Sequence, residues 1–462
     1  MTIQRTISPV DGSVYVERAL AAPPQVEAAL ERARSAQSSW RNVPLTERAS
    51  ILRRFCDLFE AQASEIATEL TWQMGRPLRY APSEVRGTLE RARHMIDIAG
   101  PALADIDVGI KEGFHRFLRR EPLGVVFTVA AWNYPYLIAV NSVVPALLAG
   151  NVVVLKHSAQ TPLCAERFEQ CLDAAGLLPG AFQVLHLSHD DTEHVIRDPR
   201  VDFVAFTGSV AGGHAVQRAA ADRFIGLGLE LGGCDPAYVR HDADLGHAIE
   251  NLVDGAYFNS GQSCCGIQRV YVHERLYEAF VDGWIDLTRK YVLGNPLDPE
   301  TTLGPVVRAA AAQEIRRQVA ASVAAGARAG IEEASFKSSV AGTPYLAPQV
   351  LLGVDHTMPV MREEIFGPVA GIMPVSSDEE AIRLMNDSAF GLTAAIWTAD
   401  EEAALAIGNQ VQTGTWFMNR CDYLDPALAW VGVKDSGRGC TLSRIGYEHL
   451  TRPKSFHLRL RT

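Results

Sequence analysis

Five short apolar runs, separated by segments long enough to form helices, constrain the fold of this chain most strongly. Runs of this kind fit strands that are buried on both faces of a parallel sheet. They cover residues 124–129, 152–155, 182–187, 201–206 and 225–229. Because strands and helices then alternate along the chain, we predict a doubly wound α/β sheet.

A second block of the same kind begins after Gly233. Its candidate strands are 237–239, 270–272, 369–373, 394–397 and 416–418. A chain of 462 residues is long enough to build more than one hydrophobic core. We therefore predict a second α/β domain after the first.

Periodicity also distinguishes covering helices from exposed strands. Apolar residues at three- and four-residue spacing predict helices at 25–40, 46–72 and 83–98. The Ala-rich stretch 309–329 is predicted to be one helix. In contrast, polar and apolar side chains alternate in residues 115–120 and 455–460, as they do in strands with one exposed face.

The composition argues against several classes of partner. The formal net charge is -11 and the pI is about 5.7, whereas proteins that bind nucleic acid or anionic membranes present basic faces. The first residues contain no apolar signal core, and the longest apolar stretch, 136–149, is shorter than the ~20 residues of a membrane span. We therefore expect a cytoplasmic protein that acts on small molecules.

Eight cysteines are scattered along the chain without a CxxC motif or the spacing of a metal site. They are predicted to be free thiols in a reducing compartment, and no metal site is predicted. They are Cys56, Cys164, Cys171, Cys234, Cys264, Cys265, Cys421 and Cys440.

Two of these thiols, Cys264 and Cys265, lie in a Gly/Ser/Gln turn before the strand-like residues 269–273. A structural cysteine usually packs on an apolar face, whereas a nucleophilic one needs polar surroundings that favour the thiolate. The turn therefore indicates a reactive thiol. The alternative is a plain turn that happens to contain two cysteines.

Glu230 lies inside the apolar run 225–231 and is followed closely by the glycine pair Gly232-Gly233. An unpaired carboxylate in an apolar segment is expected to have a raised pKa, as a general base working near neutral pH requires. The alternative is a glutamate that caps a turn at a domain edge.

Several further motifs occur in one order along the chain. The segments are 131–135 (Ala-Trp-Asn-Tyr-Pro), 206–209 (Phe-Thr-Gly-Ser), 230–233, 261–264, 364–368 (Glu-Ile-Phe-Gly-Pro), 386–392 and 434–437. In this order they resemble the motifs of the aldehyde dehydrogenase superfamily, and the resemblance extends from about Ser8 to Lys454. It implies two doubly wound α/β domains and a small β extension that pairs subunits.

The resemblance also implies the domain boundaries and the assembly. The cofactor-binding domain would comprise residues 1–103 and 123–232, and the catalytic domain residues 233–436. Residues 104–122 and 449–462 would form the β extension. A homo-oligomer, either a dimer or a tetramer, is therefore expected.

The cofactor site cannot be located from the usual dinucleotide fingerprint, because no GxGxxG follows a strand. Instead, the strand 201–206 leads through Gly208 and Ser209 into a helix-like segment, whose free N–H groups could face a phosphate. A plain turn is the alternative. By resemblance, the cofactor residues are Val129, Trp132, Lys156, Gly208, Ser209, Leu231, Glu364 and Phe366.

The resemblance implies NAD as the cofactor, with NADP as a second choice. By resemblance, Lys156 contacts the adenosine ribose. Many NAD-preferring relatives have a Glu three residues after this Lys. Here that position is Ala159, which weakens the electrostatic exclusion of NADP. NAD stays first because no Arg lies beside the position to bind a phosphate.

The family chemistry implied for this chain is oxidation of an aldehyde to a carboxylic acid. Cys264 would attack the carbonyl, and the Asn133 amide with the Cys264 backbone N–H would stabilise the oxyanion. Glu230 would activate the water that hydrolyses the thioester. Cys265 would be a pocket wall or a resolving thiol, because the family places its nucleophile two residues after the Gly-Gln pair.

Two departures from the family pattern bear on proton transfer. Cys234 stands where relatives commonly have a Lys after the Glu-Leu-Gly-Gly motif, and Cys440-Thr441 stands where they often have Arg-Glu. An auxiliary carboxylate is therefore absent, and proton relay is expected to depend on Glu230 and water.

The resemblance also implies a substrate pocket that is aromatic with one polar side. Its residues would be Tyr134, Ile138, Asn141, Phe258, Ser263, Cys265, Asp422, Leu424 and Trp430. This composition predicts a medium aliphatic or aromatic aldehyde. No Arg is placed convincingly to bind a substrate carboxylate, although Arg420 leaves a semialdehyde acid open.

Three other functions remain as alternatives. A CoA-acylating aldehyde dehydrogenase would not need the hydrolytic Glu230. A non-catalytic structural or binding relative would not need both Cys264 and Glu230. A thiol-redox role for the adjacent cysteines would require a strained disulfide.

Overall fold

The computed structural model describes residues 2–461. Met1, the first residue of the predicted cofactor-binding segment 1–103, and Thr462, the last residue of the predicted β extension 449–462, lie outside the described residues. The strands, in chain order, are β1 Ile3–Ile7, β2 Val14–Ala19, β3 Ile106–Asp107, β4 Phe114–Pro122, β5 Val125–Ala130, β6 Val152–His157, β7 Phe182–Val184, β8 Phe203–Thr207, β9 Gly226–Glu230, β10 Asp235–Val239, β11 Ile267–His273, β12 Arg328–Ala329, β13 Gln349–Leu352, β14 Val369–Val375, β15 Phe390–Gly391, β16 Thr393–Trp397, β17 Thr415–Met418, β18 Val433–Lys434, β19 Gly437–Arg438 and β20 Thr451–Arg459. The helices are α1 Pro23–Trp40, α2 Leu45–Ala61, α3 Ala63–Met74, α4 Pro82–Leu103, α5 Pro135–Leu148, α6 Pro162–Ala174, α7 His189–Arg197, α8 Val210–Ala219, α9 Leu245–Tyr257, α10 Tyr277–Thr288, α11 Ala309–Ala324, α12 Pro359–Arg362, α13 Asp378–Asn386, α14 Glu401–Gly408 and α15 Ser443–His449.

The first sheet has the strand order β19-β9-β8-β5-β6-β7. Its five predicted strands are parallel, and every residue of the central strand β5 is buried. β6 and β7 lie on one side of β5, and β8 and β9 lie on the other. The chain therefore reverses its direction of winding between β5 and β8, where a crevice for a ligand is expected in this type of fold.

The second sheet has the order β12-β13-β14-β11-β10-β16-β17 and is parallel except at β12. The mixed α/β fold with two wound sheets is thus as predicted. The predicted helix 309–329 is wrong at its end, because α11 stops at Ala324 and β12 pairs with β13. Gly326 has a positive φ of 119°, a conformation that ends a helix readily.

Other elements also differ from the sequence prediction. The predicted helix 46–72 is two helices, because Gln62 leaves the helical conformation with φ -100° and ψ 12°. The N-terminal hairpin of β1 and β2 and the short strand β13 were not predicted. These short strands lack the apolar length that marks the central strands of each sheet.

The third sheet joins the two predicted exposed strands. β20 pairs with β4 over nine residues, from Thr451 opposite Pro122 to Arg459 opposite Phe114, and β3 lies on the other side of β4. Both strands are longer than predicted. β20 is an edge strand within residues 2–461, and Leu458 in the strand and Leu460 just after it are 46% and 66% exposed.

Three chemical features concern the whole described chain. All eight cysteines are free thiols. Residues 2–461 contain no cluster of His, Cys, Asp and Glu that could hold a metal ion. Within the same residues, no helix combines the length and the apolar character that crossing a membrane would need.

Candidate active site

A cavity of about 610 Å³ lies between α4, α5, α9 and the loop that follows β17. Cys264 lies on its wall and is half-buried, with Cys265 and Glu230 on the same wall. The sequence-predicted nucleophile and base therefore face one space. A cavity of this size accommodates a small organic molecule.

The backbone before Cys264 adopts an unusual conformation. Asn259, Ser260 and Gly261 follow one another with φ angles of 55°, 56° and 70°. A Cβ on Gly261 would overlap the carbonyl of Gly367, so this position requires glycine. Left-handed residues other than glycine are costly and are maintained where the surroundings hold them in place.

A buried ion pair supplies much of that hold. Arg76 and Glu84 are 2% and 1% exposed and form a salt bridge. Arg76 also donates from Nη2 to the Asn133 carbonyl at 2.7 Å and from Nε to Asn259 Oδ1 at 3.0 Å. The Tyr136 amide, at the start of α5, donates to Glu84 Oε1 at 2.9 Å. The ion pair thus connects the loop of Asn133 to the loop of Cys264.

Asn133 itself is brought to the Cys264 loop. Its side chain is buried, and Nδ2 donates to the Gln262 carbonyl at 3.2 Å. Asn259 Nδ2 donates to the Asn133 carbonyl at 3.0 Å, which ties the two loops a second time. The amide that the sequence predicts for the oxyanion hole therefore contacts the backbone two residues before the nucleophile.

Glu230 ends β9 and is held by two hydroxyl groups that the sequence did not predict. Thr441 Oγ1 donates to Glu230 Oε1 at 2.5 Å, and Thr207 Oγ1 donates to Oε2 at 3.2 Å. Burial raises the pKa of Glu230, as predicted, and the hydrogen bond from Thr441, the charge of Arg91 and the hydrogen bond from Thr207 oppose that rise. A second cavity of about 40 Å³ adjoins Glu230, with room for a few water molecules.

Cys265 differs from Cys264 in its surroundings. It is buried, and its Sγ donates to Asp422 Oδ1 at 2.8 Å. Its hydrogen bond with Cys264, burial and the Asp422 charge raise the pKa of the Cys265 thiol well above its ordinary value. Burial also raises the pKa of Asp422 to about 6. Cys265 is therefore held as a thiol, which is the weaker nucleophile.

The predicted cofactor residues gather at the crevice between β5 and β8. Val129 and Lys156 are register partners near the carboxyl ends of β5 and β6. Ser209 caps α8 by accepting a hydrogen bond from the Gly212 amide at 3.2 Å, and Gly208 precedes it. The helix N-terminus therefore faces the same edge of the sheet and suits a phosphate group. Burial lowers the pKa of Lys156.

Of the remaining cofactor residues, Trp132 and Leu231 follow strands β5 and β9 of the first sheet, whereas Glu364 and Phe366 precede β14 of the second. Trp132 and Phe366 meet edge to face with ring centroids 5.6 Å apart. Glu364 accepts from the Gly233 amide at 3.1 Å, and a Cβ on Gly232, which follows Leu231, would overlap its carboxylate. Burial raises the pKa of Glu364 to about 7. This carboxylate, which lies against Gly232 and Gly233, fits the ribose of a nicotinamide dinucleotide, because it could accept hydrogen bonds from the ribose hydroxyls.

Most of the predicted substrate-pocket residues line the large cavity. They are Tyr134, Ile138, Asn141, Phe258, Cys265, Asp422, Leu424 and Trp430. Ser263 is not on the cavity wall, and it instead donates to Asp422 at 3.1 Å. Arg420 does not line the cavity and stacks on Tyr423, 3.9 Å from the ring centroid.

The sequence prediction missed Arg91, which also lines the cavity. Its signal in the sequence is its position on the buried face of α4, which it shares with Glu84, Thr88 and Met95. An arginine on the inward face of a helix is uncommon and needs a partner or a function.

Comparisons with known proteins agree with this geometry. Residues 2–456 match the model of the aldehyde dehydrogenase family. The chain is 35% identical over 444 residues to succinate-semialdehyde dehydrogenase (NADP+) 1 of Mycobacterium ulcerans (strain Agy99), with 96% of each chain covered. It is 35% identical to an aldehyde dehydrogenase of Paenarthrobacter nicotinovorans, over 97% of this chain and 98% of that protein.

Solved structures give the same picture. A succinic semialdehyde dehydrogenase from Streptococcus pyogenes in complex with NADP+ matches with a TM-score of 0.94 and 29% identity, covering 99% of this chain and 100% of that chain. An NAD-dependent aldehyde dehydrogenase from Sinorhizobium meliloti matches with a TM-score of 0.95 and 32% identity, covering 99% of this chain and 92% of that chain.

Proposed function

Since this chain belongs to the aldehyde dehydrogenase family and oxidises an aldehyde with NAD or NADP, we propose that its substrate carries a carboxylate at the far end of a short chain. Succinate semialdehyde is the model substrate, and succinate would be the product. The observation that carries the reaction is the pair of Cys264 and buried Glu230 on one cavity.

The first step would be attack of the Cys264 thiolate on the aldehyde carbon. The carbonyl oxygen becomes an alkoxide, to which the Asn133 Nδ2 and the Cys264 backbone N–H would donate. The Arg76–Glu84 pair holds both loops, so these donors need little rearrangement during the reaction. A nicotinamide held by Glu364 and Phe366 would supply the hydride acceptor for the thiohemiacetal carbon, and loss of that hydride would leave the thioester on Cys264.

The second step would be hydrolysis of the thioester on Cys264. Glu230 takes a proton from a water molecule, the oxygen attacks the thioester carbonyl, and the Cys264 thiolate leaves with the acid released. The raised pKa of Glu230 makes it a stronger base than an exposed glutamate, and the adjoining 40 Å³ cavity gives water access to it.

The proposed residues for the dinucleotide are the predicted ones. Ser209 at the start of α8 and Trp132 would hold the pyrophosphate, Lys156 would contact the adenosine ribose, and Glu364 with Phe366 would hold the nicotinamide ribose and ring. Both NAD and NADP are proposed to be used. Relatives named for NADP and for NAD support this breadth.

The proposed substrate differs from the medium aliphatic or aromatic aldehyde that the pocket composition predicts. Relatives at 33–35% identity are named succinate-semialdehyde dehydrogenases, which favours a short carboxylated aldehyde. Ile138, Leu424 and Trp430 supply apolar wall for its methylene groups. A CoA-acylating reaction is disfavoured because Glu230 faces the cavity of Cys264.

The assembly, domain division and location are part of the same proposal. The open edge of β20 with its exposed leucines supports pairing of subunits into a homo-oligomer. The two large sheets support cofactor-binding segments 1–103 and 123–232 and a catalytic segment 233–436. Eight free thiols support a reducing, cytoplasmic location.

The test is an aldehyde panel with the purified protein and each cofactor. Succinate semialdehyde, butanal, hexanal, benzaldehyde and 4-aminobutanal are compared by kcat/KM from reduced-nicotinamide absorbance. We expect succinate semialdehyde to rank first and its acid to be released without CoA. A higher kcat/KM for butanal, hexanal or benzaldehyde would return the substrate to the medium aliphatic or aromatic class.

A further inference from the structure

Arg91 reaches the substrate cavity from α4 and is anchored on one side only. Its side chain is 8% exposed and lines the cavity. Nη1 donates to the Leu137 carbonyl at 2.9 Å and to Asn141 Oδ1 at 3.3 Å. Both acceptors belong to α5, so Arg91 bridges the two helices that form this wall.

The other edge of the guanidinium is open. Nε and Nη2 make no hydrogen bond to any residue between 2 and 461, and neither is among the polar atoms sealed inside the protein without a partner. These two N–H groups point the same way and form the fork that binds both oxygens of a carboxylate.

The neighbouring charges leave Arg91 available for an anion. Arg76 on the same cavity is paired with Glu84, and Arg86, which also lines the cavity, is exposed to solvent. Glu230 is close enough for its charge to act on Arg91, but its two oxygens accept from Thr441 and Thr207. An unpaired buried guanidinium is costly, and a carboxylate ligand would offset that cost.

Asn141 adds a second donor at the same place. Its Oδ1 accepts from Arg91, which leaves Nδ2 for a ligand, and its side chain is 3% exposed on the cavity wall. An amide supplies no charge, so selection of an anion over a neutral group must come from Arg91.

We propose that Arg91, through Nε and Nη2 and with Asn141 as a second donor, binds the remote carboxylate of the substrate and thereby selects semialdehyde acids. The proposal rests on the proposed function. The competing hypothesis is a substrate with a remote ammonium group, because Glu90, Glu250 and Asp254 also line the cavity and would favour a positive charge.

The test compares succinate semialdehyde with butanal, which has the same four-carbon chain without the carboxylate. The ratio of the two kcat/KM values is expected to fall about 30- to 1,000-fold in Arg91→Met, mainly through KM for succinate semialdehyde. Arg91→Lys keeps the charge and should retain part of the ratio. Arg93→Met is the matched control, because Arg93 lies on the same helix, exposed, and pairs with Glu60.

A binding measurement separates recognition from folding. Succinate should raise the Tm of the wild type and not that of Arg91→Met, whereas NADP should raise the Tm of both. If Arg91→Met does not fold, Asn141→Asp replaces it, since a carboxylate there would pair with Arg91 and lower the same ratio.

The outcomes are distinguishable. A wild type that prefers succinate semialdehyde while Arg91→Met keeps that preference would overturn the role of Arg91 and leave the proposed function standing. A wild type that prefers butanal or 4-aminobutanal would overturn both. A lowered ratio in Arg91→Met, with the control unchanged, supports the proposal.

Discussion

Thr441 donates a hydrogen bond to Glu230 across 2.5 Å, at the position where the family resemblance leads one to expect a carboxylate. A hydroxyl is not a second base near neutral pH, but the hydrogen bond that it donates stabilises the ionised form of Glu230. Thr441 therefore supplies no second carboxylate, and its effect on the site is to lower the pKa of Glu230 against the effect of burial.

Removing that hydroxyl should shift the pH profile of the enzyme. In Thr441→Val, the pKa of Glu230 is expected to rise further, because a bond that opposes the effect of burial is lost. Glu230 works ionised, so the acidic limb of kcat against pH should move to higher pH. Thr207→Val, which removes the longer bond of 3.2 Å, should give a smaller shift. If the acidic limb of kcat against pH stays in place in both variants, the ionisation of Glu230 does not control the rate-limiting step.

Replacing Glu230 by Gln keeps the size of the side chain and removes the base. Thioester hydrolysis is expected to slow ~10²- to 10⁴-fold, whereas hydride transfer should slow much less. Rapid mixing should then show a burst of reduced nicotinamide near one per active site, followed by a slow steady state. If no burst forms while substrate and cofactor still bind, Glu230 acts earlier, in deprotonating Cys264.

The two adjacent cysteines should respond differently to substitution. Cys264→Ala is expected to abolish aldehyde oxidation and leave cofactor binding intact. Cys265→Ala should be much milder, because Cys265 is buried and engaged with Asp422. Initial rates and cofactor titrations of both variants check this. Reversed phenotypes would assign the nucleophile to Cys265.

The fold could be predicted from the sequence where burial leaves a clear pattern. Strand β5 is buried along its whole length, and its sequence is apolar except for Thr128. The break between α2 and α3 at Gln62 has no comparable signal, because neither Pro nor Gly marks it and the apolar spacing continues through it.

The site could be predicted only in part, for a related reason. Cys264, Glu230 and Asn133 belong to motifs that resemble a known family. Arg91 belongs to no such motif, and Thr441 departs from the family pattern at its position. Both reach the site because α4 and the segment after β19 pack against it. Contacts between segments hundreds of residues apart depend on tertiary packing, which periodicity does not encode.

Cofactor preference should change at Ala159. In Ala159→Glu, a carboxylate beside the proposed adenosine ribose would repel the 2′-phosphate, so the ratio of kcat/KM for NAD over NADP should increase. The backbone of Ala159 is held by Thr6, whose Oγ1 donates to its carbonyl at 2.8 Å, so the loop should keep its path. Ala159→Gln is the neutral control. An equal change in both variants would show that charge is not the cause.

Glu364 should make cofactor binding depend on pH near neutrality. Burial raises its pKa to about 7, so it is largely protonated below that pH and accepts hydrogen bonds from the ribose less well. KM for NAD is therefore expected to rise as pH falls below 7, and Glu364→Gln should remove that dependence.

The raised pKa of Glu364 also predicts how the stability of the protein without cofactor depends on pH. A carboxyl group with a raised pKa in the folded state binds more protons when folded, so its contribution to stability is lost as pH rises from about 4.5 to about 7. Glu364→Gln should accordingly gain stability relative to the wild type over that range. A difference in unfolding midpoint between the variant and the wild type that is the same at pH 5 and at pH 8 would contradict the assignment.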